Sequence, residues 1–240
     1  MDVTKLTRPA RKLLPLKTCG AVIVAAGNAS RMGGIDKVMA PLGGEPMIVR
    51  TVRAFQNCDA IASIVIVTRE DLIRPISGLC RDMSKVTAVV CGGSSRQESV
   101  HLGLNALPKG TKLVAVHDGA RPLVSWQVID RAVRAANTYG GAAPAIPVKD
   151  TIKVVRGGLV ESTPDRASLQ AVQTSQVFDF DLLRGALKKA EEDKAQVTDD
   201  CSAVERLGMK IKIVEGDERN LKVTTPLDLK IAELLLEETK

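Results

Sequence analysis

The sequence predicts an α/β fold with a mostly parallel, doubly wound sheet and a projecting β-arm. Three observations carry that expectation. Short Val- and Ile-rich runs alternate with amphipathic stretches over the first 140 residues, as βαβ units require. The first of these runs opens directly into a glycine-containing turn flanked by cations, at the place where open α/β sheets bind ligands. The chain is 45% hydrophobic but only 2% aromatic, so it has enough apolar residues for a full core, and that core is aliphatic.

In chain order, residues 21–25, 64–68, 87–91 and 113–117 read as buried strands. Between them, 46–56, 71–82, 96–107 and 127–138 carry helical periodicity. Ser125 stands as N-cap of the last helix and Gly140 as its stop. Alternation of this kind forces parallel strands with helices on both faces. The pattern then changes. Ile152-Lys153-Val154-Val155 and Leu159-Val160-Glu161-Ser162, joined by Arg156-Gly157-Gly158, make a hairpin signal in which glycine supplies the positive φ. A hairpin this polar cannot fold alone, so it is expected to pack on another subunit or project over the site. Helical patterns resume at 180–190, 199–207 and 226–237, with a short strand at 210–214. With no internal repeat and no linker, residues 19–240 read as one domain with an arm at about 148–170.

Of the net charge of +6, +4 lies in the first nineteen residues, where Lys5, Arg8, Arg11, Lys12 and Lys17 face Asp2 alone. Residues 1–18 therefore read as a basic tail on a nearly neutral body. The tail has no apolar h-region and no amphipathic period, so it resembles neither a signal peptide nor a clear transit peptide. No positive stripe and almost no aromatic platforms argue against nucleic-acid binding. The five cysteines (Cys19, Cys58, Cys80, Cys91, Cys201) have no metal-ligand or disulfide spacing. No apolar run approaches the ~20 residues that span a bilayer. The expectation is a soluble, cytoplasmic protein.

The turn after the first strand is Ala25-Ala26-Gly27-Asn28-Ala29-Ser30-Arg31-Met32-Gly33-Gly34-Ile35-Asp36-Lys37. Small residues leave backbone N–H groups free beside two cations, which is how anions, triphosphates included, are held. It is neither a Walker A loop nor G-x-G-x-x-G, since Ala29 and Met32 stand at the second and third glycine positions. Its A-A-G-x-x-x-R-M…K form resembles the signature loop of nucleotidyltransferases. His117-Asp118-Gly119-Ala120-Arg121-Pro122 closes the fourth strand. A carboxylate there suits Mg²⁺, which takes one or two carboxylates plus substrate phosphates. Arg121 suits a phosphate through paired donors. The plainer alternative is that Asp118 caps a turn and pairs with Arg121. His117 reads as a residue satisfied by its neighbours rather than a base. Thr198 or Asp199 serves equally as a helix N-cap, and Thr225-Pro226 is an ordinary helix start. Lys222 is harder to explain structurally, because it interrupts an apolar, strand-like run.

Taken together with Pro147-Val148-Lys149-Asp150-Thr151, Thr198-Asp199-Asp200 and Asn220-Leu221-Lys222-Val223-Thr224-Thr225-Pro226, these motifs form an ordered series. From Cys19 to Glu237 the chain resembles the 2-C-methyl-D-erythritol 4-phosphate cytidylyltransferase family. The resemblance implies a Rossmann-like nucleotidyltransferase fold and a homodimer formed through the β-arm. It also implies CMP transfer from CTP to methylerythritol phosphate with Mg²⁺, in isoprenoid precursor biosynthesis. By the same resemblance, Ala25, Ala26 and Gly27 cradle the triphosphate, and Arg31, Lys37 and Lys222 are catalytic. Gly93 and Ser99 contact cytosine and ribose, and Asp118 touches metal and both substrates. Arg121 and Thr198 hold the acceptor, while Thr151 and Arg166 reach the partner's site. Departures from the family pattern are Ala29, Asp36, Ser94 and Ser175. Two alternatives stay open: a ribitol 5-phosphate cytidylyltransferase, and a non-catalytic nucleotide-binding regulator.

Overall fold

Strand β1 (Cys19–Val24) is buried along nearly its whole length and pairs in parallel on both sides. The computed structural model describes residues 15–27 and 37–238. Residues 1–14 of the basic tail, and residues 28–36 with Arg31, lie outside the described residues. After β1 come a small hairpin, β2 (Pro41–Leu42) and β3 (Glu45–Pro46), and then α1 (Met47–Gln56). The α/β alternation continues with β4 (Ser63–Thr68), α2 (Glu70–Leu79), β5 (Val86–Cys91) and α3 (Arg96–Ala106). Next are β6 (Leu113–Asp118), α4 (Trp126–Tyr139) and β7 (Gly141–Pro147). The arm consists of β8 (Val154–Arg156) and β9 (Leu159–Ser162), whose residues are all exposed. Gly157 and Gly158 turn it with φ of +56° and +82°, values that an L side chain resists and a two-residue hairpin loop needs. The chain closes with β10 (Gln170–Val172), β11 (Gln176–Asp179), α5 (Phe180–Glu192), α6 (Asp200–Glu205), β12 (Lys212–Glu215) and α7 (Pro226–Glu237).

Among the described residues, eight strands make one sheet in the order β10-β7-β11-β6-β1-β4-β5, with β12 also pairing with β7. The run β5-β4-β1-β6 is parallel, as expected. Beyond it β11 runs antiparallel to both β6 and β7. Side chains alternate along each strand, so β1 sends Ala21 and Ile23 to one face and Val22 to the other. The first face packs on α1, α2 and α4, and the second on α3, α5 and α6. That is the doubly wound arrangement.

Sequence periodicity did not anticipate β7, β10 or β11. Gly-Ala-Ala-Pro-Ala-Ile-Pro lacks the branched residues that mark a strand, yet β7 takes neighbours on both sides. Strands β10 and β11 lie on the same side of β7, separated by Gln173–Ser175, and Pro144 lies opposite that gap. The Lys222 segment is likewise not a strand. It is an extended loop tied down by Val223 N–H to the Ala120 carbonyl (2.9 Å).

Helix α3 rests on the sheet through Gly103, where an added Cβ would stand 2.4 Å from Val22 Cγ1 and 2.8 Å from Val67 Cγ2. An overpacking cost of about 1–3 kcal/mol, set against a helix-propensity gain of about 1 kcal/mol, should leave Gly103→Ala destabilised by up to about 2 kcal/mol. Gly78, in α2, has nothing within 4 Å of its would-be Cβ, so Gly78→Ala should gain up to about 1 kcal/mol. Urea denaturation of both variants checks the opposite signs.

Candidate active site

The chain runs outward from β1 to β4 and β5, then returns to place β6 on the other side of β1. Such a reversal leaves a crevice beyond the carboxyl ends of the two central strands. In it, Val24 stands opposite Asp118 in register. A cleft of ≈ 510 Å³ occupies this end of the sheet. Ala25, Ala26 and Gly27 enter it after β1, Thr68 to Glu70 from the end of β4 onward, Gly92 to Arg96 after β5, and Asp118 as the last residue of β6. Lys37, at the start of a short 3-10 turn (Lys37–Met39), and Lys222, from the loop before α7, line it as well.

The wall after β5 is set by close approach. A Cβ on Gly92 would lie 2.5 Å from Ala26 Cβ, and one on Gly93 would lie 2.3 Å from Glu98 Cδ. Ser95 caps α3 by accepting from Glu98 N–H (3.0 Å), while Glu98 accepts from the Ser94 N–H and hydroxyl (both 2.7 Å). Ser99 is buried; its hydroxyl accepts from Gly93 N–H (3.1 Å) and donates to the Ser95 carbonyl (2.8 Å). Ser99 thus shapes the wall by fixing Gly93.

Asp118 is 9% exposed and has cations on both carboxylate oxygens. Lys222 Nζ lies 2.9 Å and Arg121 Nε 3.6 Å from Oδ2, and Arg96 Nε lies 3.7 Å from Oδ1. Burial favours the neutral acid, but Lys222, Arg96 and Arg121 outweigh it and pull the pKa down to about 2. The backbone of Asp118 is fixed as well, its N–H donating to Thr174 Oγ1 (3.1 Å). Burial lowers the pKa of Arg121, with Asp118 opposing. The Arg121 guanidinium donates to the Asn220 carbonyl (2.6 Å). Asn220 in turn donates to the Thr174 carbonyl (2.8 Å). Arg96 lies in the first turn of α3 and donates to Asp200 Oδ2 (2.7 Å).

Eight of the residues expected from the sequence therefore share one cleft: Ala25, Ala26, Gly27, Lys37, Gly93, Ser99, Asp118 and Lys222. Arg121 sits behind Asp118, and the expected turn is present too, with Arg121 N–H donating to the Asp118 carbonyl (3.0 Å). Arg121 and three further expected residues do not line the cleft of their own chain. Thr198 is exposed before α6, its hydroxyl 3.4 Å from Ser202 Oγ. Thr151 is exposed ahead of β8, and Arg166, following β9, donates to the Lys149 carbonyl (2.7 Å). Sequence reasoning missed Arg96 and Asp200 as a pair. The available signal was a cation in the first turn of a helix, where the dipole disfavours it.

An open, doubly wound sheet with a glycine-lined, lysine-flanked cleft and one carboxylate at the strand reversal defines a nucleotidyltransferase-type α/β protein. The IspD (2-C-methyl-D-erythritol 4-phosphate cytidylyltransferase) family model matches residues 19–238. The cytidylyltransferase of Symbiobacterium thermophilum is 46% identical over 219 residues, covering 90% of this chain and 92% of that protein. That of Geobacillus thermodenitrificans is 46% identical over 220 residues, covering 90% and 96%. The crystal structure of 4-diphosphocytidyl-2C-methyl-D-erythritol synthase from Anaerococcus prevotii superposes with a TM-score of 0.84 at 29% identity, covering 92% of this chain and 96% of that one. The 2-C-methyl-D-erythritol 4-phosphate cytidylyltransferase of Thermus thermophilus gives 0.75 at 31%, covering 90% and 98%. The chain belongs to the 2-C-methyl-D-erythritol 4-phosphate cytidylyltransferase family.

His117 is fully buried against Phe55, with Nδ1 3.1 Å from Ser175 Oγ and Nε2 3.2 Å from the Arg121 carbonyl. Burial pushes its pKa down to about 4, against the pull of Asp118 and of the Arg121 carbonyl. The unfolded chain takes this proton near 6.5, so between about 6.5 and about 4 it binds more protons than the native state. Stability should be level above that window and fall as the pH drops through it. Asp118 acts in a separate, lower window, its contribution present above 3.8 and lost as the pH falls through about 2. Urea titrations at several pH values should show the first decline, and His117→Gln should flatten it.

Proposed function

We propose that the chain transfers CMP from CTP to 2-C-methyl-D-erythritol 4-phosphate, releasing pyrophosphate, in isoprenoid precursor biosynthesis. The observation that carries this reading is the gathering of the Ala25–Gly27 turn, Lys37, Asp118 and Lys222 around one cleft at the strand reversal. Family membership supplies the identity of the two substrates.

The nucleophile is an oxygen of the acceptor phosphate, already an anion, so no strong base is required. It forms a bond to the α-phosphorus of CTP as the bond from that phosphorus to the bridging oxygen breaks, and pyrophosphate leaves with the electron pair. What the protein must provide is in-line positioning and relief of charge repulsion. In this reading the N–H groups of Ala26 and Gly27 receive the phosphates, that of Ala25 being held by the Val67 carbonyl (2.7 Å), and Lys37 and Lys222 stabilise the charge that builds up. Arg31 joins them by its place in the sequence. Gly93 presents backbone to the base and ribose, with Ser99 holding it in place. Arg121 and Thr198 serve the acceptor.

Of the two carboxylates that line the cleft, Glu70 and Asp118, the one at the strand reversal, Asp118, has the hard oxygen donors for a Mg²⁺ held jointly with substrate phosphates. Among the described residues no cluster of three or more acidic, histidine or cysteine side chains could hold a metal without such help. When bound, the ion would add positive charge to the phosphates. Among the described residues no helix is long and apolar enough to cross a membrane.

The arm supports a homodimer with shared sites. Val155, Leu159 and Val160 are 56%, 77% and 59% exposed, an apolar surface that a second copy of the chain would cover. In this reading Thr151 and Arg166, at the two ends of the arm, complete the partner's cleft.

Pyrophosphate release tests the reaction. It should appear with CTP, Mg²⁺ and methylerythritol phosphate, and not when ribitol 5-phosphate replaces the acceptor. Release with ribitol 5-phosphate instead would reassign the acceptor, and CTP binding without release from either would identify a regulator.

Subunit mixing tests the shared site. Lys37→Ala and Arg166→Ala should each lower kcat by about 10²-fold or more. Mixed in equal amounts with free exchange, they should recover about a quarter of wild-type activity, because half the dimers are mixed and each mixed dimer has one intact site. No recovery despite demonstrated exchange would place Arg166 in its own chain's site.

A further inference from the structure

We infer that Arg96 is a positioning residue, anchored by the buried Asp200, that sets the orientation of the Asp118 carboxylate across the cleft. The inference rests on the reading of Asp118 as a group that touches the substrates.

Arg96 is the first residue of α3, where the helix dipole disfavours a cation, so helix formation does not explain it. Two carboxylates do. Arg96 Nη2 donates to Asp200 Oδ2 at 2.7 Å, and Nε lies 3.7 Å from Asp118 Oδ1. Burial works against the charged guanidinium, but Asp200 and Asp118 together raise its pKa, so it stays a cation. A planar fork fixed on one carboxylate has little freedom left, which makes it a reference point for the other.

Asp200 is itself immobilised. It is 1% exposed and opens α6, whose first backbone groups are clamped to β11: Gln176 Oε1 accepts from the Asp200 and Cys201 N–H groups (3.1 and 3.0 Å), and Gln176 Nε2 donates to Asp199 Oδ2 (2.7 Å). A continuous path therefore runs from β11 through Gln176, Asp200 and Arg96 to Asp118. Lys222, on the opposite oxygen, is a point charge on a flexible stem with 43% of its side chain exposed. Arg121, also on Oδ2, is held to the Asn220 carbonyl (2.6 Å), so that oxygen has a fixed neighbour and the remaining rotation of the carboxylate is set at Oδ1, where Arg96 stands.

The competing role is structural: Arg96 neutralises Asp200 and does nothing more. Removing Arg96 alone strands a buried carboxylate, whereas removing both charges together is often tolerated. Arg96→Gln should thus lower Tm and lower kcat by about 10²-fold, the scale of a misplaced reacting group, with KM for CTP within about threefold. Arg96→Gln combined with Asp200→Asn should restore most of the Tm and none of the kcat, and it keeps the test available if the single variant fails to fold. Added to Asp118→Asn, Arg96→Gln should cost less than about twofold more, because it acts through Asp118. The inference is overturned if kcat returns with Tm in the Arg96/Asp200 double variant, if Arg96→Gln keeps wild-type kcat, or if its full loss recurs in the Asp118→Asn background. Wild-type kcat in Asp118→Asn alone would instead remove the reading of Asp118 on which the inference rests.

Discussion

A carboxylate taken nine-tenths out of water must be matched by positive charge, and the arrangement of the cleft follows from that requirement at Asp118. Its cations come from three separate places: the start of α3, the loop after β6 and the loop before α7. Residues 96, 121 and 222 are far apart in sequence, so their convergence ties remote segments to one point. Three cations face two carboxylates there, Asp118 and the Asp200 that pairs with Arg96, so the group is left with positive charge in excess. Packing and function thus draw on one set of charges, with Asp118 as its negative centre.

The second organising feature is the polar break between β10 and β11. Gln173, Thr174, Ser175 and Gln176 are all buried. Buried polar groups are tolerated only when hydrogen-bonded, and each of these has partners. Gln173 exchanges hydrogen bonds with Asp217 through N–H to Oε1 (3.2 Å) and Nε2 to carbonyl (2.8 Å). Thr174 fixes the Asp118 backbone, Ser175 meets His117, and Gln176 clamps the start of α6. A strand that would otherwise be plain core becomes a bracket that holds the cleft's far wall.

Sequence patterns revealed the parts of the fold held by apolar burial. The Val/Ile runs of β1, β4, β5 and β6 and the Gly157-Gly158 hairpin were legible because burial and turn geometry demand those residue types. Strand β7 was not, because its small residues are chosen by close packing on two sides: a Cβ on Gly141 would lie 2.9 Å from Ile211 and 3.1 Å from Phe178. Strands β10 and β11 were hidden by the polar residues of their break. At the cleft, residues at strand ends could be placed from periodicity alone, as Gly27 and Asp118 were. Thr151, Arg166 and Thr198 entered through family resemblance, and local pattern had no means of locating them. The Arg96–Asp200 pair, 104 residues apart, is set by tertiary geometry that no short window contains.

The arm has a different consequence. Every residue of β8 and β9 is exposed, so neither strand contributes to the cores that hold the sheet together. Within one subunit its side chains lie outside the volume constraints that govern Gly103 or Gly141. The fold of one copy and the fit between two copies thus answer to different residues, the central strands to the first and, in the shared-site reading, Val155, Leu159 and Val160 to the second. A change in the arm should then show itself in how two copies associate and leave the unfolding of each nearly untouched.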